Sequence, residues 1–363
     1  MIEIPVDVAD VTPAFLTEAL RARHHDVTVA EVEVIDAHSG TTGRARLAVR
    51  YESRPESLDV PGTLFVKLPP FDDDQRRFID FVGLGVAEAR FYRDLGDEVP
   101  VRVPRTWFAE VDAERRYVMV LEDLIAAGCT FPRPRDADLD ARTVAIVEGM
   151  AALHAQYWET PRFEADLSWI AKRGTGRADG TDQRDSLVQL AYDRLRDRLP
   201  PAFARLALYF LDHVREVSAL WNSGTMTVVH GDPHLGNLFN DDSSGTVGIG
   251  FLDWAMVGRA PGMRDVAYVI GNSIPPDLRR ARERAWIDIY RARLADRGVE
   301  LDASDAWDQY RLFAVYSWLC ASTTAAMGTK WQSERIGMGG TERATATIDD
   351  LDSVGFLQTH IGP

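Results

Sequence analysis

Residues 227–258, TVVHGDPHLGNLFNDDSSGTVGIGFLDWAMVG, form an island of strand-like sequence in a part of the chain that otherwise reads as helix. The segment is mostly apolar, yet it carries His230, Asp232, His234, Asn237 and Asp253. NLFND and GIGFLDW flank DSSGT, a run of turn formers, so the pattern predicts a hairpin. A hairpin folds Asn237, at the start of one strand, back toward Asp253, at the end of the other. An amide oxygen and a carboxylate so placed suit a hard cation such as Mg²⁺, which takes few protein ligands when phosphates supply the rest. Asp232 lies on the loop entering the hairpin, where a carboxylate can orient a hydroxyl and accept its proton. His230, directly after an apolar strand, reads as a brace for that loop through hydrogen bonds. His230, Asp232, His234 and Asp253 also admit a dinuclear metallohydrolase reading. That chemistry needs several more His or Asp ligands, and none of the other six of the eight histidines clusters with these.

The regions around the island differ in period. TPAFLTEALRARH starts with Thr12 as N-cap and Pro13 at the first helical position, and predicts a short amphipathic helix. Strands are predicted over 29–36, 45–52 and 62–69, the first two joined by the small-residue loop AHSGTTGR. Residues 74–96 are helical in period despite Gly83 and Gly85. Residues 105–124 read as a hairpin turning near Asp112–Glu114, its second strand ending at Glu122. Beyond it the chain turns helical: DARTVAIVEGMAALHAQYWE, then long segments to about Trp221 after the polar stretch 172–185, then 275–350. The expected fold class is therefore α+β, with a sheet-rich first third and a mainly helical remainder. The boundary falls near 122–127, where LEDLIAAG is too short for a flexible linker.

Composition narrows the setting. A chain of 363 residues, 45% hydrophobic, can bury a large core as two lobes. Cys129 and Cys320 are far apart and in no metal-ligand spacing, so a reducing cytoplasm is expected. The start has no basic and apolar leader pattern, and no stretch approaches a membrane span, so no membrane partner is expected. A formal charge of −15 argues against nucleic acid.

HGDPHLGN followed by FLDW resembles the catalytic signature of the aminoglycoside phosphotransferase and choline kinase superfamily. TLFVKLP, EARFYR and RDVAY look closest to the bacterial branch of ecdysteroid-kinase-like phosphotransferases. The pattern H-x-D-x4-N is shared with protein kinases, where DFG stands in place of DWA. The resemblance implies a protein-kinase-like two-lobed fold: residues 1–122 as nucleotide-binding lobe, residues 123–363 with catalytic loop, metal site and acceptor pocket. It implies transfer of a nucleotide γ-phosphate to a small-molecule hydroxyl, with Asp232 as the base and Asn237 and Asp253 holding Mg²⁺. ATP is the expected co-substrate, with GTP as the alternative.

Phosphoryl transfer also needs positive charge on the phosphates and a partner that holds that charge in place. The chain has three lysines against 38 arginines, and one of the three, Lys67, is central in an apolar strand. An edge-strand lysine that discourages aggregation is the plain alternative. Glu88 on the following helix is the natural ion-pair partner. SGTTG, with Gly40, Thr41, Thr42 and Gly43, lies where kinases cover the phosphates with a loop, and VLEDL places Glu122–Leu124 as the hinge meeting the adenine edge. Asp265 is expected to cap the next helix and brace the catalytic loop. His154 is expected in the core.

Trp254-Ala255 replaces Phe-Gly, and no activation segment with a phosphosite follows, so neither a mobile switch nor a protein kinase is implied. A non-catalytic nucleotide-binding pseudokinase would have lost Lys67, Asp232, Asn237 or Asp253, and all four are present. The acidity does not identify the acceptor, because residues 1–122 are net −8 and the rest net −7. YRLFAVYSWLCASTTAAMG puts Tyr310, Phe313, Ala314, Ser317 and Trp318 on one helical stripe that Tyr157 and Trp158 could join. Most of these aromatics are expected in the core, with Tyr157, Tyr310, Ser317 and Trp318 as the candidate wall of an acceptor pocket. The stripe has few carboxylates, so the expected acceptor has substantial apolar surface, with an aminoglycoside or amino sugar second.

Overall fold

The structure is a computed structural model that describes residues 2–23, 26–53, 60–72, 75–77, 83–172, 183–328 and 333–362. Among them no helix is long and apolar enough to cross a membrane. The chain divides into two compact units, the first made of Met1–Thr130, Phe239–Ser244 and Gly250–Met256, the second of the rest.

The first unit is built on a five-stranded antiparallel sheet. Its strands are β1 (Thr28–Ser39), β2 (Gly43–Ser53), β3 (Thr63–Leu68), β4 (Thr106–Val111) and β5 (Tyr117–Glu122), in the order β1-β2-β3-β5-β4. Because side chains alternate across a strand, the sheet has two distinct faces. Ala45, Leu47, Leu64, Val66, Leu68, Val118 and Val120 join one hydrophobic cluster with Phe15, Leu16, Ala19 and Leu20 of helix α1 (Pro13–Arg21). Lys67 is out of phase with this set, and so are Arg44 and Arg46. The helix α1 begins as its sequence predicts, with the Thr12 hydroxyl accepting from the Phe15 amide at 3.2 Å.

Two expectations change here. The β1–β2 connection is a tight turn at Gly40–Thr42, because pairing continues to Ser39 opposite Gly43, and the wider loop 37–44 is mostly strand. The helix expected over 74–96 is described as α2 (Leu84–Asp94); residues 74 and 78–82 lie outside the described residues. Gly83 is its N-cap at φ +74°, a left-handed backbone that glycine adopts without strain. Gly85 is needed for space, since a Cβ there would meet the Tyr117 ring at 1.9 Å.

The second unit is helical. Its elements are α3 (Leu139–Gln156), α4 (Gln183–Leu195), α5 (Pro201–Asp212), α6 (Val214–Trp221), α7 (Met263–Ser273), α8 (Pro276–Ala295), α9 (Ala303–Ala326), α10 (Glu334–Asp350) and α11 (Ser353–Ile361). Most of the polar stretch 172–185 falls in 173–182, outside the described residues. Helix α9 runs through the core, with Trp318 against Phe203 and Tyr316 against Trp221. Inside the island, β6 (Thr227–Val229) pairs antiparallel with β9 (Gly258–Ala260) in this unit, and β7 (Leu238–Asn240) pairs with β8 (Ile249–Phe251) as the predicted hairpin, most of which belongs to the first unit.

The packing at Gly85 is testable. Gly85→Ala should cost about 1–3 kcal/mol, the usual penalty for overpacking. Thermal melts should show a smaller loss from Gly85→Ala in a Tyr117→Leu background than in the wild type. Equal losses in both backgrounds would show that the Tyr117 ring is not what excludes a side chain there.

Candidate active site

In the first unit, Lys67 lies on β3, a central strand, which removes the edge-strand explanation. Its Nζ donates to Glu88 Oε1 at 2.6 Å and Oε2 at 2.5 Å. Lys67 is 4% exposed and Glu88 fully buried, so each ion relies on the other in the absence of water. Burial pushes the Glu88 carboxyl above its ordinary value, and Lys67 opposes that shift. Lys67 Nζ also stands 3.5 Å from Asp253 Oδ1.

Asp253 occupies a left-handed backbone conformation, φ +62°, an uncommon state for a residue with a side chain. The residue after it explains why it stays there. Trp254 is fully buried, stacks on Phe91 of α2 at 3.9 Å, and donates its indole N–H to the Phe251 carbonyl. Trp where protein kinases carry Phe is thus an anchor, consistent with a fixed Asp253. Arg44 stands 3.5 Å from Asp253 Oδ2, and the strand register puts Arg44 opposite Lys67. The sequence reading missed Arg44; its place beside the SGTTG turn was the available signal.

The turn itself differs from expectation. Thr42 is buried and its hydroxyl accepts from Arg44 Nε at 3.2 Å, so it supports Arg44 instead of facing outward. Gly43 is required by packing, since a Cβ would meet Phe71 at 2.3 Å, whereas Gly40 has open space and Thr41 is half-buried. At the hinge, the Glu122 carboxylate accepts from Arg102 and from the Arg105 amide. Arg46 holds Asp123 at 2.9 Å; burial alone would raise that carboxyl, but Arg46 and the Ala126 amide hold it below the ordinary range. Among the described residues the Leu124 amide has no acceptor, while the Leu124 carbonyl already accepts from Cys129.

In the second unit the loop after β6 is organised by Asp265. Its buried carboxylate accepts from the His230 amide at 2.6 Å and the Gly231 amide at 3.0 Å. Asp265 does not cap α7, whose N-cap is Gly262; it sits in the first turn and its carboxylate serves the loop instead. Burial alone would raise this carboxyl, yet His154, His230 and the Gly231 amide outweigh burial and hold it below its ordinary value. His154 is buried, with Nε2 3.5 Å from Asp265 and Nδ1 2.9 Å from the Tyr290 hydroxyl. His230 Nδ1 accepts from the Asp232 amide, and His234 Nδ1 from the Gly236 amide. Both imidazoles accept an amide at Nδ1, which puts the ring proton on Nε2, whereas a metal-bound histidine donates its non-coordinating N–H. Among the described residues no group of three or more His, Cys, Asp or Glu is arranged to hold a metal.

Asp232 is held at both oxygens. Tyr268 donates to Oδ1 at 2.6 Å, and Asn237 Nδ2 reaches Oδ2 at 3.2 Å and the Asp232 carbonyl at 2.9 Å. Burial, with the charge of Asp232, pushes the Tyr268 hydroxyl well above its ordinary range, so it remains a donor. With its nitrogen committed to Asp232, Asn237 presents its amide oxygen as the remaining acceptor. Tyr268 was not singled out from sequence, although it lies three residues beyond Asp265 and so shares a helix face with it.

The residues proposed to line an acceptor pocket are instead packed. Tyr157, Tyr310, Ser317 and Trp318 are each at most 1% exposed. The Tyr310 hydroxyl donates to Glu283, and the Ser317 hydroxyl to the Tyr268 carbonyl. The stripe was real, but it faces the interior.

The fold is the α+β fold of protein-kinase-like phosphotransferases. It is similar to a Ralstonia eutropha protein provisionally described as an aminoglycoside phosphotransferase, 16% identical with a TM-score of 0.54, covering 93% of this chain and 98% of that one. It is also similar to an ethanolamine kinase of Plasmodium vivax, at 12% identity and TM-score 0.52, covering 89% and 83%. The GDP and kanamycin complex of APH(2")-IIIa matches at 14% identity and TM-score 0.51, covering 92% and 98%. No curated protein matches the chain in sequence. The model of the phosphotransferase enzyme family matches residues 56–321, well over half of the chain. The chain belongs to that phosphotransferase enzyme family.

The Asp265 brace has a pH signature. A carboxyl held below its unfolded value stabilises the fold above about pH 4 and loses that contribution as pH falls through its folded value. Asp265→Asn should cost on the order of 3 kcal/mol at pH 7, the scale of charge-assisted hydrogen bonds. The gap to wild type in urea melts should narrow below pH 4. A gap of equal size at pH 7 and pH 3 would contradict this account.

Proposed function

We propose that the protein is a Mg²⁺-dependent kinase that transfers the γ-phosphate of ATP to the hydroxyl of a small molecule. The observation that carries this reading is the buried Lys67, paired with Glu88 and 3.5 Å from Asp253. A lysine held in this way is a fixed positive charge for nucleotide phosphates. We take residues 1–122 as the nucleotide-binding lobe, with Arg44 as a second cation and the Leu124 amide as a donor to the base. Residues 123–363 carry the catalytic loop. Asp232 is the base: Tyr268 and Asn237 orient it, and it accepts the acceptor's proton. His230 and Asp265 keep the loop in shape.

The donor set fits Mg²⁺. Asp253 offers a carboxylate on a rigid turn, and Asn237 an amide oxygen whose nitrogen is already engaged, both hard oxygens. Such an ion, when bound, neutralises charge on the phosphate oxygens. The nucleotide reading is supported by the family and by a neighbour solved with GDP, which keeps GTP as the alternative co-substrate.

For the acceptor, the side chains gathered around Asp232 support an alcohol with substantial apolar surface. Tyr268 and Asn237 bond Asp232 and His234 stands 3.7 Å from it, while Tyr316 and Cys320 lie beside Tyr268 with Arg264 as the nearby charge. A polycationic aminoglycoside would want carboxylates there, so it stands second. The ecdysteroid-kinase-like branch is the subgroup we favour, on the sequences TLFVKLP, EARFYR and RDVAY.

Two experiments test the reading. Asp232→Asn should lower turnover about 10²–10⁴-fold while leaving nucleotide affinity nearly unchanged, as removing a general base does. Full turnover in a folded Asp232→Asn protein would remove it from the mechanism. Asp253→Ala should abolish the Mg²⁺-dependent rise in melting temperature produced by ATP, and Asn237→Ala should weaken it less. Tightly bound zinc or manganese, with no response to ATP, would instead favour a phosphohydrolase.

A further inference from the structure

Three arginines are buried in the described residues: Arg142, Arg264 and Arg279. Arg142 pairs with Asp138, and Arg279 with Glu283 and Asp350. Arg264, 3% exposed, has no carboxylate within ion-pair distance among the described residues, and its Nε has no hydrogen-bond partner. Among the described residues its guanidinium bonds only to Tyr316, which it overlies at 3.8 Å from the ring centre and whose hydroxyl accepts from Nη2. A phenol and a ring face compensate a buried cation only in part; buried charges are normally paired with an opposite charge.

The position of this cation points to its partner. Arg264 and Tyr268 are four residues apart on α7, so their side chains share one face at roughly 5–6 Å between Cβ atoms. Tyr268 is bonded to Asp232, and its ring lies 6.4 Å from that of Tyr316. Cys320 joins the same group: burial raises its thiol to about 11, and it feels the charges of Arg264, Asp232 and Arg184. The base and the unpaired cation therefore belong to one cluster about a helical turn apart.

We propose that Arg264 receives an anionic group, a carboxylate or phosphate, carried by the acceptor whose hydroxyl is presented to Asp232. This rests on the reading of Asp232 as the base of an O-kinase. The acceptor class is then a small hydroxy acid or related anionic alcohol with an apolar body. The guanidinium suits such a group because its fork can bond two oxygens at once. Tyr316 keeps the cation in place until the acceptor arrives.

The test uses the full-length protein with ATP and Mg²⁺, and a panel of hydroxycarboxylates, phosphorylated alcohols, and their neutral amides and esters of matched skeleton. Wild type should turn over an anionic acceptor with a kcat/KM about 10- to 100-fold above its neutral counterpart, the range for a charge-assisted pair. Arg264→Met should collapse that ratio toward one by raising KM for the anion, and Arg264→Lys should keep part of it. Tyr316→Phe, which removes only the hydroxyl, should raise the same KM more modestly and serves where Arg264→Met fails to fold. A preference for neutral or cationic acceptors, or a ratio unchanged in Arg264→Met or Tyr316→Phe, would overturn the proposal. If the protein neither binds nor turns over ATP, the kinase reading fails on its own. Stabilisation by the anion in melts, lost in Arg264→Met, would then still support the site, and its absence would remove the site too.

Discussion

Asp265 brings a carboxylate into the interior of the helical unit, where water cannot solvate it, and the loop amides of His230 and Gly231 answer its charge. The geometry of the loop after β6 follows from that demand. Once the two amides point at Asp265, Gly231 takes a left-handed backbone, φ +88°, and the chain reverses to put Asp232 beside Tyr268. His154 and Tyr290 complete the shell around the carboxylate, which ties the loop to α3 and α8. Asp232 is thus positioned by a second acid, Asp265, whose carboxylate is engaged by the loop amides.

The sheet unit applies the same rule with opposite sign. Lys67 is a cation on a central strand, and Glu88 from α2 is the charge that makes it tolerable. Taking away one member of such a pair leaves the other buried and alone, at a cost of about 3–5 kcal/mol. Arg279 with Glu283 and Asp350 shows the rule again in the helical unit. Against that background Arg264 is the exception among the buried arginines of the described residues, where no carboxylate stands within ion-pair distance of it.

Much of the site was legible in the sequence for physical reasons. Lys67 stood out because the chain uses arginine for ordinary surface charge and because the strand around it is apolar. Asp232, Asn237 and Asp253 were visible as polar residues at fixed spacing within an otherwise apolar segment. Arg44 was not, since its closeness to Asp253 depends on the β2–β3 register, and register is a property of pairing between distant segments. The stripe at Tyr310, Ser317 and Trp318 shows the opposite error. Helical period states which residues share a face, and cannot state whether that face meets solvent or other helices.

What the sequence by itself determined is local: the amphipathic start of α1, the alternation that separates Lys67 from the hydrophobic cluster, the turn-forming link of the hairpin, and the set of chemical groups at 230–253. These follow from backbone period and turn chemistry, which act over a few residues. What only the tertiary structure decided is which charges meet. The strand order β1-β2-β3-β5-β4, the stacking of Trp254 on Phe91, the grip of Asp265 on the loop and the contact of Arg264 with Tyr316 all join residues far apart in the chain. A buried charge selects its partner by distance in space, and that distance is set when the core packs.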